Sequence, residues 1–279
     1  MPVIREKSNA SRLSQAFQSA KNPLLVACTV AGDPDYEASI RLVFEMEAAG
    51  ADCIELVMPF SDPVADGPVI QEAISRALQA GMDTDRLFSQ ILEIREKSKI
   101  PLVILTYANI VIQRGIRKFY QDAANAGADG VAVADVPLEE AAPFCTAARD
   151  AGIEPILFVS QTTSPERIGD ILEMAGGFIY LIAAMGVTGV RDELSPEVLS
   201  CIREVKERTS LPVVPGFGIS TPEHIRAYTK AGADGMIVGS AIVRIIGEQS
   251  GGHEEMRIRV GALVRNLKEA SEEDRGMNR

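Results

Sequence analysis

Gly50-Ala51-Asp52-Cys53-Ile54-Glu55-Leu56-Val57 packs a helix stop, a short turn and a buried strand into one continuous stretch. The glycine suits a helix C-cap, and the apolar residues that follow have no room to be a helix before the next turn signals. The same opening recurs at Gly127-Ala128-Asp129 and Gly232-Ala233-Asp234, each after an amphipathic stretch and before an apolar run. Working outward, strand-like runs are predicted at 24–30, 53–57, 101–105, 130–134, 155–159, 178–182, 212–214 and 236–238. Helical spacing is predicted at 36–49, 84–96, 117–126, 138–151, 165–174, 196–207 and 222–231. The strands are apolar nearly throughout, which suits parallel strands buried on both faces. Eight strand–helix units with a spare helix at 9–20 predict an α/β fold, a (β/α)8 or TIM barrel with an extra N-terminal helix. A doubly wound open sheet is the alternative, but the unit count and the late glycine clusters favour closure. Residues 1–279 read as a single domain, with a last helix at about 254–270 and a charged tail, 271–279, expected to fray.

Composition narrows the function classes. Hydrophobic residues make up 46% of the 279 and charged residues 24%, ordinary for a folded protein. A net charge of −11 argues against nucleic acid or an anionic membrane surface as partner, while leaving room for an anionic small substrate bound by backbone amides. Neither a signal peptide nor a run of membrane-spanning length is read from the sequence. Cys28, Cys53, Cys145 and Cys201 are scattered through apolar contexts. They read as reduced core residues of a cytoplasmic protein rather than a disulfide frame or a zinc site.

In a barrel, residues just past the strand C-termini meet at one mouth. Here those positions hold Gly32-Asp33, the segment Pro59 to Asp66, Tyr107-Ala108-Asn109, Asp135, Gln161, Gly186 to Gly189, Gly216-Phe217-Gly218 and Gly239-Ser240. The opposite strand ends carry plain turn residues. Glu55 stands apart, a carboxylate inside an apolar strand. Alternation puts it on one face with Cys53 and Val57. A structural salt bridge would need a buried cation, and no predicted strand has a lysine or arginine. The remaining reading is a carboxyl whose pKa is raised by desolvation, ready to give and take a proton. Asp66 follows on a proline-punctuated loop as a second carboxylate over the same mouth, although Asp-Gly-Pro is also good turn chemistry. Asp62 reads as a loop-fixing or helix-entry residue.

Gly189, Gly218 and Gly239 remove side chains where backbone must approach a ligand, and Ser240 opens a helix at 241–246. Together they point to a phosphate site. With no strand lysine, Schiff-base aldol chemistry is disfavoured. His224 and His253 read as surface residues, and no cluster has metal-ligand spacing. What remains is acid–base chemistry by two carboxylates on a phosphorylated substrate that carries its own electron sink.

Glu55-Leu56, Pro59-Phe60-Ser61-Asp62-Pro63 and Ala65-Asp66-Gly67-Pro68 resemble the signature of the tryptophan synthase α subunit family. The resemblance continues through Thr29 to Pro34, Tyr107-Ala108-Asn109, Ala134-Asp135-Val136-Pro137, Gly186-Val187-Thr188-Gly189, Gly216 to Ser220 and Val238 to Ala241, and so spans nearly the whole chain. It implies retro-aldol cleavage of indole-3-glycerol phosphate to indole and glyceraldehyde 3-phosphate. Glu55 would protonate indole C3 and deprotonate the glycerol hydroxyl. Asp66 would accept the ring N–H. Gly189, Gly218, Gly239 and Ser240 would hold the phosphate, Leu105, Tyr180 and Phe217 would line the indole pocket, and Thr188 would sit on a lid that orders Asp66. It also implies no cofactor in this chain and a β subunit partner, in an α2β2 heterotetramer, that carries pyridoxal phosphate and receives indole. The neighbouring ring-closing synthase would need lysines at the mouth. A stand-alone indole-releasing lyase or a non-catalytic regulatory partner are the alternatives, and the latter predicts loss of a carboxylate. Val57, where many members have glycine, Gln161, where proline is frequent, and Ala183-Ala184-Met185 depart from the pattern and bear on rate, substrate fit and coupling to a β subunit.

Overall fold

The structure is a computed structural model, and it describes residues 11–182, 196–216, 218–248 and 252–273. Eight parallel strands form its centre: β1 (Leu24–Val30), β2 (Cys53–Val57), β3 (Leu102–Thr106), β4 (Gly130–Val133), β5 (Glu154–Ser160), β6 (Ile179–Ile182), β7 (Val213–Gly216) and β8 (Gly235–Val238). Their order is β7-β6-β5-β4-β3-β2-β1-β8, so each strand pairs with its sequence neighbour and β8 returns to β1. β7 and β8 meet through Asp234, whose amide donates to the Val213 carbonyl at 2.9 Å. The result is the expected barrel, and β1, β2 and β3 are buried at every residue.

Helices wrap the outside: α1 (Arg12–Ser19), α2 (Tyr36–Ala48), α3 (Pro68–Gln79), α4 (Thr84–Arg95), α5 (Ala108–Arg114), α6 (Ile116–Ala126), α7 (Ala141–Ala151), α8 (Pro165–Met174), α9 (Pro196–Arg208), α10 (Pro222–Ala231), α11 (Ser240–Glu248) and α12 (Gly252–Glu273). Local chemistry starts several of them. The side chains of Ser11, Asp35, Asp83, Ser164 and Thr221 each accept an amide of the first turn. Two helices lie beyond the periodicity read above. α3 starts at Gly67 without a capping side chain and with Pro68 in its first turn, so its onset looks like loop. α5 has seven residues, too few for a periodic signal. The last helix also runs further than the pattern sets it. α12 continues through Glu273, and Ser271, placed above in the fraying tail, is buried with its hydroxyl donating to the Lys268 carbonyl at 2.8 Å.

The recurring Gly-Ala-Asp turns do more than reverse the chain. Gly50, Gly127 and Gly232 adopt positive φ, and each following aspartate joins two strands. The Asp52 amide donates to the Leu25 carbonyl at 2.9 Å while its carboxylate accepts the Leu25 amide at 2.8 Å. Asp129 makes the same two-way exchange with Leu102, and Asp234 with Val213. A helix cation then neutralises each carboxylate: Lys268 on Asp52, Arg95 and Arg12 on Asp129, and Lys206 on Asp234. At this same end α1 covers the barrel floor. Leu13 is fully buried, and a Cβ on Gly177 would come within 3.1 Å of it.

Candidate active site

Among the described residues, the strands carry two charged side chains, and they are treated in opposite ways. Glu154 opens β5 at the floor of the barrel and accepts hydroxyl bonds from Ser11 at 2.7 Å and Ser14 at 2.9 Å. Glu55, in the middle of β2, is 1% exposed, and among the described residues neither carboxylate oxygen has a hydrogen-bond partner of good geometry. It stands in register with Cys28 on β1 and Val103 on β3. Burial pushes its pKa up to about 7; the neighbouring Cys28 thiol pulls it down and the charge of Asp66 adds to the rise. A buried carboxyl left unpaired costs stability, so its retention asks for a chemical reason.

Asp66 arrives over the same mouth on the loop between β2 and α3. Tyr107, the residue after β3, donates its hydroxyl to Asp66 Oδ2 at 2.5 Å and accepts the Ala65 amide at 3.2 Å. The Gln71 side chain holds the Asp66 carbonyl from α3 at 2.8 Å. Burial raises the Asp66 carboxyl and the Tyr107 bond opposes it. Asp62 fixes the outer loop, accepting the Ser61 hydroxyl at 2.5 Å.

Facing these groups, Tyr180 on β6 is buried against Phe158, with ring centroids 4.8 Å apart. Gly216 makes this possible, because a Cβ there would lie 2.6 Å from the Tyr180 ring. Burial raises the Tyr180 phenol first, and the charges of Glu55, Cys28 and Asp66 raise it further, so the phenol lies within electrostatic reach of both carboxylates. Leu105 pairs with Val57 and Ala132, and Val57 is itself buried. Gly239 abuts Cys28, and a Cβ would approach its Sγ to 3.2 Å. Ser240 begins α11, whose first amides point to the mouth end, and Gly218 holds φ +75° with open space beside its Cα. Thus Glu55, Asp66, Leu105, Tyr180, Gly218, Gly239 and Ser240 gather at one end of the barrel. Gly189, Thr188, Phe217 and Ala183-Ala184-Met185 lie outside the described residues.

Other mouth residues serve the frame. Asp33 is fully buried and takes two 2.8 Å bonds from Arg76 of α3, and Asp135 accepts the Ala108 amide at the start of α5 at 2.7 Å. Gln161 follows β5 with its amide nitrogen buried and without a partner among the described residues. Sequence reasoning placed Tyr107 at the mouth without a role and gave Cys28 none. The signal for Tyr107 was a tyrosine at a strand end, where a buried ring needs a partner for its hydroxyl.

No helix among the described residues is long and apolar enough to cross a membrane, and no group of three or more histidines, cysteines or carboxylates there could hold a metal. A cavity of about 440 Å³ lies at the opposite end of the barrel, between Phe17, Asn22, Ser210 and Asp234, away from both carboxylates.

The family model described as tryptophan synthase alpha chain matches residues 14–272. The chain belongs to that family. It is 44% identical over 262 residues to the tryptophan synthase alpha chain of Methanoregula boonei, covering 94% of this chain and 99% of that one. It is 40% identical over 251 residues to that of Arabidopsis thaliana, covering 89% and 91%. Among solved structures, the alpha subunit from Legionella pneumophila aligns with a TM-score of 0.85 at 33% identity, over 94% of this chain and 98% of that one. A chain of the tryptophan synthase complex from Pyrococcus furiosus aligns at 0.81 and 35% identity, over 88% and 98%. Membership in the tryptophan synthase alpha chain family carries a lyase role in tryptophan biosynthesis and supports a partner β subunit.

Proposed function

We propose that this chain cleaves indole-3-glycerol phosphate to indole and glyceraldehyde 3-phosphate. The observation that carries the reading is Glu55, a buried carboxyl with no salt-bridge partner and no hydrogen bond of good geometry among the described residues, poised to titrate near neutrality. In the carboxyl form it gives its proton to indole C3, which turns the ring into a cationic indolenine. Asp66, held by Tyr107, accepts the ring N–H and stabilises the charge that develops there. Glu55, now a carboxylate, takes the proton of the glycerol hydroxyl. As the aldehyde forms, the electrons of the C–C bond return to the ring and restore indole. Donation and abstraction by one group cancel, so Glu55 ends as it began. The ring is the electron sink, and the step therefore asks for no cofactor in this chain.

The phosphate end of the substrate falls to Gly218, Gly239 and Ser240 at the N-terminus of α11, with Gly189 as a further backbone contact. Leu105, Tyr180 and Phe217 form the indole pocket, and Thr188 steadies Asp66. The chain acts as one α partner in an α2β2 assembly, in which the β subunit holds pyridoxal phosphate and consumes the indole; the assembly is supported by a similar chain in the tryptophan synthase a2b2 complex of Pyrococcus furiosus.

The test is release of indole from indole-3-glycerol phosphate by the purified chain, with and without a β subunit. Slow release alone and a large increase with the partner are expected. Glu55→Gln abolishes turnover while substrate still binds, and Asp66→Asn is severely impaired. Substantial turnover by Glu55→Gln would overturn the reading.

A further inference from the structure

Cys28 lies on β1 with its Cα in register with that of Glu55, so the two side chains enter the barrel next to each other. On its other flank is Gly239, where even a methyl group would crowd the sulfur. The thiol thus sits between Gly239 and the strand position of Glu55, and among the described residues no hydrogen bond joins it to the carboxyl in this structure. Cys28 is 5% exposed. Among the described residues, the titratable groups whose charges act on or respond to Glu55 are Cys28 from β1, Asp66 from the loop after β2, Tyr180 from β6 and Cys53 from its own strand. Asp66 is engaged by Tyr107, and the Cys53 thiol leans on the Ile54 carbonyl at 3.9 Å.

The geometry points to Cys28 as a positioning residue for Glu55: its thiol donates weakly to the carboxylate form and lets go of the carboxyl form, so the group changes protonation without changing place. This rests on the lyase reading above, in which Glu55 must be acid and base within one turnover. A strong donor at this position would hold Glu55 ionised and cost the protonation of C3. An apolar neighbour would hold it protonated and cost removal of the hydroxyl proton. A thiol is a weak donor and lies between these limits. Burial also raises the Cys28 thiol well above its ordinary value, so it stays protonated, and therefore a donor, through the neutral range.

The test compares wild type, Cys28→Ala and Cys28→Ser, each first checked for an unchanged thermal melt. The pH dependence of kcat/KM for indole release should move its alkaline limb up in Cys28→Ala and down in Cys28→Ser, each by roughly half a unit or more, with little change in KM. A role in filling space alone predicts that the near-isosteric serine behaves as wild type. A second readout needs no substrate: infrared titration of the carboxyl stretch that Glu55→Gln removes. Coincident titrations in all three proteins would overturn the proposal even if indole is released normally. Shifted titrations in a protein that releases no indole would uphold the Cys28–Glu55 coupling and sink the lyase reading instead.

Discussion

In the proposed mechanism Glu55 trades stability for chemistry, and the sign of that trade can be worked out. Its folded pKa of about 7 lies above its ordinary value of 4.5. A carboxyl raised on folding favours the native state at low pH, and this support is lost as pH climbs from the unfolded value through the folded one. Between pH 5 and pH 8 the loss is about 2–3 kcal/mol from this group. Glu55→Gln therefore gains stability over wild type at pH 8 by several degrees in Tm, and the gain shrinks towards pH 5. Thermal melts across that range check it, and a pH-independent difference would mean that Glu55 is solvated or paired in the folded state. The same residue shows how far a sequence reaches. A carboxylate in an apolar strand is visible as a cost from its immediate neighbours alone. Its pairing with Cys28 is not, because strand register joins residues 27 positions apart and no local signal specifies it.

At the scale of elements, the Gly-Ala-Asp turns are legible as turns and illegible as joints. The glycine demands a positive φ, which any reader of the sequence can anticipate. What the aspartate bonds to depends on which strand lies beside it. Asp129 is the most enclosed of the three, at 4% exposure, and it answers both the Leu102 amide and the guanidiniums of Arg12 and Arg95. Asp129→Ala leaves those cations unpaired against the floor, and a loss of about 3–5 kcal/mol is expected in chemical denaturation. Asp129→Asn keeps an acceptor for the Leu102 amide and should lose less. Equal losses in the two variants would mean that the charge, not the strand bond, carries the joint. α3 teaches the converse: Gly67-Pro68 reads as loop, yet a proline in the first turn begins a helix, and that helix brings Gln71 to the loop of Asp66 and Arg76 to Asp33.

Across the whole molecule the barrel divides its labour between two ends. Glu55, Asp66 and Tyr180, each raised by burial, lie at the mouth with the N-terminus of α11, while α1 and the aspartate joints, Asp129 also raised by burial, close the floor. Leu13 is the clearest test of that separation. Leu13→Ala removes the plug against Gly177 and should cost about 2–5 kcal/mol. Indole release below the melting temperature and the titration of Glu55 should be unchanged, and a displaced titration would show that floor packing reaches the mouth. By itself the sequence determined the parallel barrel and marked a carboxylate buried in a strand, because periodicity, glycine placement and the cost of burying a charge are local properties of the chain. Only the tertiary structure decided that Tyr107 holds Asp66, that Cys28 stands beside Glu55 in register, and that Gly216 leaves room for the Tyr180 ring. Those relations depend on which strands become neighbours and in what register, and a barrel settles both only when it closes.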